Sequence, residues 1–129
     1  MEDLIIEKTR KTPGVNLTPG ALLFYGRSII DNTRDFYQPV YDWICKYLEN
    51  PANETEVIMK LEYIDAPSVN TLMNLLKIIN EIRERGLIFK VKWFYEYGDL
   101  EMLQLGSILQ SRLEIEFDFH EFEPDGLMP

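Results

Sequence analysis

The sequence predicts an α/β fold: one mixed β-sheet with helices packed mainly on one of its faces. Three observations carry that expectation. Runs of two-residue apolar alternation take turns with runs of helical spacing, in the order strands, helix, strand, helix, strand, helix, strand. Strands joined through helices favour parallel pairing by right-handed crossovers. The chain of 129 residues is 46% apolar and 27% charged, which suits one domain with a real core and argues against disorder.

The elements run in order. "LIIEKTR" reads as a first strand. "TPGVNLTPGALLFYGRS" reads as two short strands joined at Thr18-Pro19-Gly20, a turn dictated by Pro and Gly, so the first strands can form a hairpin. Asp31 or Asn32 offers an N-cap, after which Phe36, Val40, Trp43, Ile44, Tyr47 and Leu48 recur at helical spacing. Pro39 either starts this helix or kinks it. "NPANET" breaks the chain, and Val57, Met59, Leu61 and Tyr63 then alternate as a strand. Leu72, Leu75, Leu76, Ile79 and Ile82 mark the apolar face of a long helix starting between Ala66 and Val69, with Asn70, Asn74, Lys77, Glu81 and Arg85 on the opposite face. Gly86 supplies its stop. "LIFKVKWFY" is a strong strand, with Phe89, Val91, Trp93 and Tyr95 on one side. "GDLEMLQLGSILQSRL" is a third helix weakened by Gly106, and Ile115, Phe117 and Phe119 alternate with acidic residues in a last strand. Residues 1–129 read as a single domain with a core over about 4–122, and 123–129 read as a frayed tail.

Formal net charge is -9, from 22 acidic and 13 basic side chains. That balance disfavours nucleic acid and anionic membranes and suits protein partners, for which a basic surface would be complementary. Cys45 is the only cysteine, so an internal disulfide is impossible and a cytoplasmic setting is expected. "MEDLIIEKTR" lacks the basic and apolar regions of a signal peptide, and no apolar stretch approaches the roughly 20 residues of a membrane span.

Four constellations carry candidate chemistry. Asp65-Ala66-Pro67-Ser68 lies where strand periodicity gives way to helix. Pro67 fits a first helical turn and Ser68 can cap the N–H groups after it, so plain capping is one reading. The other is a switch, since a phosphoryl group at a helix start meets free N–H donors and adds about -1.5 to -2 charges. Glu114, Glu116, Asp118 and His120 share one face of the last strand and are ligand types for a cation. Such neighbours stand about 6.5–7 Å apart along a strand, so a solvated outer face explains them better and no metal or other cofactor is expected. Trp93, Phe94, Tyr95, Tyr97, Tyr63, Phe24 and Tyr25 are candidates for a ligand pocket, although aromatics on central strands are more often core. Asp65, Ser68 and Glu96 are the only polar actors an enzyme would have, and no activating base accompanies them.

"TPGVNL", "YGRSIIDNTRDFYQPVYDWICKYL", "LEYIDAPSVNTLMNLL" and "VKWFYEYGD" resemble, in order and spacing, the SiaC family of bacterial regulatory phosphoproteins. The most specific piece is Gly26-Arg27-Ser28 followed by Asn32, Phe36-Tyr37, Pro39, Trp43 and Tyr47-Leu48. The resemblance implies a fold like that of anti-sigma-factor antagonists (STAS-like) and a role in a partner-switching circuit. It implies a serine/threonine kinase, a PP2C-type phosphatase and a diguanylate cyclase as protein partners, the cyclase being activated by the unphosphorylated form. The family pattern at the strand-to-helix turn is approximately Asn-Thr-Ser-Ser, with Thr as acceptor. Asp65, Ala66, Pro67 and Ser68 stand there, so Ala66 occupies the usual acceptor position. Ser68 is then the phosphorylation candidate, or the protein is a locked, non-phosphorylatable binder. The expected function is a non-enzymatic binding protein using Asp65, Ser68, Asn70, Thr71 and Asn74, with a small-ligand or metal sensor as the alternative.

Overall fold

Alternating burial runs down the central strands, and it places every helix on the same side. The structure, a computed structural model, describes residues 1–123. Its elements are β1 (Leu4–Ile6), β2 (Gly14–Thr18), β3 (Ala21–Ser28), α1 (Thr33–Tyr47), β4 (Glu54–Ile64), α2 (Ala66–Asn80) with a 3-10 extension (Glu81–Arg85), β5 (Ile88–Glu96), α3 (Leu100–Leu113) and β6 (Asp118–Phe122). They build a six-stranded sheet in the order β1-β2-β3-β4-β5-β6. The first three strands pair antiparallel as hairpins, and β3 through β6 pair parallel. Because the parallel strands advance in one direction, right-handed crossovers carry α1, α2 and α3 over one face.

Thr55, Val57, Met59 and Leu61 of β4 and Phe89, Val91 and Trp93 of β5 are buried beneath those helices. Tyr37, Val40, Ile44 and Tyr47 of α1 and Leu72, Leu75, Leu76 and Ile79 of α2 close the core from above. Among the described residues, no helix covers the other face of the sheet. Cross-strand ion pairs line it, Lys90 to Glu54 at 3.4 Å and Lys92 to Glu56 at 3.5 Å, and Lys60 lies over the Phe94 and Phe122 rings.

Most boundaries agree with the periodicity. The turn at Pro19-Gly20 joins β2 to β3, with Gly20 at φ 90°. Asn32 caps α1 by accepting from the Asp35 N–H at 3.2 Å. Pro39 lies inside α1 on its exposed side, with Asp35, whose carbonyl loses its helical donor, exposed as well. Leu76 and Trp93 are buried as expected.

Three expectations need correction. Asp65, not Ser68, caps α2. The last strand is shorter than its alternation suggested: Glu114 turns left-handed at φ 56° to end α3, and Gln110 Oε1 accepts the Phe117 N–H at 2.7 Å, so 114–117 is no strand. Gly106 is no weak point in α3. A Cβ there would stand 2.5 Å from Trp93 Nε1 and 2.8 Å from Phe119 Cε1, so the glycine lets helix and sheet approach. Of the proposed tail, Glu123 is exposed and 124–129 lie outside the described residues.

Gly106 gives a test of sign. Helix propensity alone makes Gly106→Ala stabilising by about 1 kcal/mol. Overpacking against the Trp93 indole opposes it, and we expect a net loss of about 1–3 kcal/mol. A raised midpoint in urea denaturation would show that the packing reading is wrong.

Candidate functional site

The parallel strands β3 and β4 end side by side, and the chain turns there into α2. One irregularity prepares the turn. Gly26 pairs with Leu61, but Arg27 pairs with Tyr63, so Glu62 is the extra residue of a β-bulge. Gly26 sits at φ 90°, a conformation that favours glycine. The bulge reverses the facing of the last two strand residues. Ile64 turns in to pack on the core, and Tyr63, expected to continue the buried alternation, stands 53% exposed.

Asp65 comes next and ties three segments together. Its N–H donates to the Ser28 carbonyl at 2.9 Å. Its Oδ1 accepts the Ser68 N–H at 3.0 Å, which caps α2, and its Oδ2 accepts the Ile30 N–H at 3.0 Å, which holds the chain leaving β3. Burial pulls the Asp65 carboxyl upward, but the bonds from the Ser68 hydroxyl and from backbone N–H groups outweigh it and hold the group below its ordinary value.

Behind the cap runs a chain of buried hydroxyls. Ser28 Oγ donates to Ser68 Oγ at 2.8 Å and lies 2.7 Å from the Tyr37 hydroxyl. Ser28 has one proton, so Tyr37 is the donor to Ser28. The Ser68 proton is then directed at the Asp65 carboxylate. The order is Tyr37 to Ser28 to Ser68 to Asp65, a run of neutral donors ending on an anion. Burial pushes the Tyr37 phenol up to about 12, so it remains a neutral donor. Ser28 and Ser68 have no solvent exposure.

The other expected site residues are distributed around this cap. Ala66 and Pro67 are exposed at the helix start, as are Asn70 and Asn74 further along. Thr71 is half-buried and its hydroxyl donates to the Pro67 carbonyl at 3.1 Å. Thr71 and Asn74 line a groove of about 390 Å³ between α2 and α1, with Arg34, Tyr37 and Tyr41 opposite. On the far side of the turn, Arg27, Ile29, Glu62, Tyr63 and Glu96 line a second cleft of about 550 Å³. Tyr97 and Leu100, just past β5, are 66% and 72% exposed. Ile29, Tyr63, Tyr97 and Leu100 thus put exposed apolar surface at the carboxyl ends of β3, β4 and β5. Sequence reasoning missed this edge as a surface. An apolar or aromatic residue immediately beyond a strand end was the available signal for Ile29 and Tyr97.

The remaining constellations do not converge. Asp118 Oδ2 lies 2.9 Å from His120 Nε2, and that imidazole stacks on Phe94. Glu114 and Glu116 are outside the strand, and no group of three His, Cys, Asp or Glu residues among the described residues could hold a metal. Trp93 and Phe24 are core, Phe94, Tyr95 and Tyr25 half-buried, and Tyr63 and Tyr97 exposed, so the aromatics do not line one pocket. Among the described residues, no helix is long and apolar enough to cross a membrane.

The one-sided α/β sheet thus presents a capped strand-to-helix turn among exposed apolar side chains. The family comparison agrees with the motifs. The chain belongs to the SiaC family of regulatory phosphoproteins, whose model matches residues 6–122. An uncharacterised protein of Pseudomonas aeruginosa (strain UCBPP-PA14) is 25% identical over 121 residues, covering 92% of this chain and 94% of that protein. The structure of SiaC of Pseudomonas aeruginosa has the same fold, with a TM-score of 0.85 at 23% identity over 95% of this chain and 100% of that one. A chain in the crystal structure of diguanylate cyclase SiaD in complex with its activator SiaC, from Pseudomonas aeruginosa, has a TM-score of 0.83 at 22% identity, covering 93% of this chain and 100% of that one.

The Asp65 cap has a pH signature. Its carboxyl is depressed on folding, so the stability it contributes is present above the unfolded value of about 3.9 and is lost as pH falls through the lower folded value. Asp65→Asn should flatten the acid limb of stability below about pH 4. Asp65→Ala should also cost about 1 kcal/mol near neutrality, through loss of the cap. Urea melts from pH 2 to 7 measure both, and an acid limb equally steep in Asp65→Asn would remove the assignment.

Proposed function

We propose that this chain is a non-enzymatic regulatory protein of the bacterial cytoplasm. It binds and controls a protein partner, a diguanylate cyclase or similar signalling enzyme, through the edge formed by the 65–71 turn and the exposed Ile29, Tyr63, Tyr97 and Leu100. The observation that carries this reading is the pairing of an exposed turn, rigid from behind, with apolar side chains that the core does not use. Membership in a regulatory family supports it, as does the likeness to the SiaC that activates SiaD.

The same geometry favours a locked binder over a phosphorylated switch. Ala66 is exposed where the family acceptor stands but carries no hydroxyl. Ser68 keeps a hydroxyl, yet it is fully buried and already bonded to Ser28, so a kinase reaches it only after the start of α2 opens. The family kinase and PP2C-type phosphatase therefore have no ready substrate at this turn, and the partner stays engaged whenever both proteins are present.

The test pairs the purified chain with a diguanylate cyclase encoded in its own gene neighbourhood. We expect binding by calorimetry, faster cyclase turnover, and no phosphate by peptide mass after treatment with the neighbouring kinase and ATP. Tyr63→Ala should weaken binding at least about tenfold, as for an aromatic anchor, while Lys46→Ala on the far end of α1 should leave it unchanged. Phosphate on Ser68 that abolishes binding would establish a relocated switch instead. Full binding by Tyr63→Ala and by a combined Asp65, Ser68 and Asn70 replacement would remove this edge from function.

A further inference from the structure

We infer that the partner's contacting surface carries an acidic segment beside its apolar contact, received by a basic cleft formed by Lys8, Arg10 and Arg27; this rests on the docking reading above. The three cations line a cleft of about 480 Å³ together with Thr9, Gly26 and Glu62. It shares Arg27 and Glu62 with the cleft that holds Ile29 and Tyr63, so the basic and apolar surfaces are continuous.

The chain as a whole carries -9, which on average repels an acidic partner. Elsewhere Lys90, Lys92 and His120 each meet a carboxylate within 3.5 Å. Lys8, Arg10 and Arg27 make no such ion pair among the described residues, and neither do most of the other Lys and Arg residues; what sets these three apart is that they line one cleft. The clustering is also structurally held. The Ile29 N–H donates to the Lys11 carbonyl at 2.7 Å, and Thr9 accepts the Thr12 N–H at 2.9 Å, which fixes the β1–β2 loop against the end of β3. A Cβ on Gly26 would lie 3.4 Å from Lys8 Cδ, so the aliphatic stem of Lys8 runs over the bulge. Three unpaired cations facing one Glu62 leave the cleft net positive, suited to two or three carboxylates of a protein segment. On a strongly acidic protein, such a patch selects one orientation of approach.

Two measurements test this. In the first, calorimetry with the neighbouring cyclase compares wild type, the combined Lys8→Glu, Arg10→Glu, Arg27→Glu variant, and Tyr63→Ala. We expect wild-type affinity to fall about tenfold between about 50 and 300 mM salt, because the pairs are solvent-exposed. The triple variant should bind about tenfold more weakly at low salt with little remaining salt dependence, whereas Tyr63→Ala should weaken binding and keep it. A triple variant that binds like wild type, with Tyr63→Ala impaired, overturns the acidic segment and leaves the docking edge standing. If the cyclase binds no variant, the docking reading itself fails. The second measurement needs no partner: a hexaglutamate peptide is titrated into isotope-labelled protein at low salt. Amide shifts confined to residues 8–11 and 26–28 support the cleft. Shifts spread over other lysines, or none, overturn it. So does inorganic phosphate reproducing the shifts at lower concentration than the peptide, which would make it a small-anion site.

Discussion

The junction of β3, β4 and α2 depends on one carboxylate. Asp65 accepts from the first turn of α2 through one oxygen and from the chain leaving β3 through the other, while its own N–H donates to the last residue of β3. Two stretches far apart in sequence, 28–30 and 65–68, are thereby held together by one residue. The hydroxyl chain from Tyr37 through Ser28 and Ser68 adds α1 to the same node. Buried hydroxyls are costly without partners, and here each has one. The direction of the chain comes from counting protons, since each hydroxyl has one to give and the carboxylate has none.

The bulge at Glu62 matters as much for the surface as the cap does for the interior. Without it, Tyr63 would face the helices and Ile64 would face out. With it, the last turn of the strand exchanges those roles, and an aromatic side chain arrives at the edge beside the exposed helix start. Gly26 makes the exchange possible from the neighbouring strand, by adopting a backbone conformation closed to most residues. Nothing in the core requires Tyr63, Tyr97 or Leu100 to be large and apolar where they stand. A surface that is rigid behind and apolar in front is economical for binding, because little conformational freedom is lost on contact.

Regulation through this turn would rest on what the turn can accept. A helix start with free N–H groups tolerates a phosphate, so charge alone does not prevent a switch here. Chemistry and access do. Ala66 offers no oxygen, and Ser68 spends its hydroxyl holding the node together. Modifying Ser68 would break the bond from Ser28 and put a dianion beside the Asp65 carboxylate, a like-charge contact in a partly buried place. The proposed locked state is thus a consequence of two side chains, one lacking the group and the other using it.

The alternation of Val57, Met59 and Leu61, the helical spacing of Leu72, Leu75, Leu76 and Ile79, and the Pro19-Gly20 turn were enough by themselves to determine the α/β class, the order of elements and most of the core. Those patterns are local, and burial of one face results directly from them. The family motifs likewise marked the 65–68 turn as the place of interest. What only tertiary structure decided was how that turn is built. The tie between the Asp65 cap and the chain leaving β3 depends on where β3 ends, because the second oxygen needs the Ile30 N–H. The exposure of Tyr63 depends on a pairing register between two strands, which no single strand's sequence states. Gly106 read as a helix defect until Trp93 lay across it, and the grouping of Lys8, Arg10 and Arg27 existed only once a loop and a distant strand end met. Periodicity reports which side of an element is apolar; it carries no information about which residues of other elements arrive opposite.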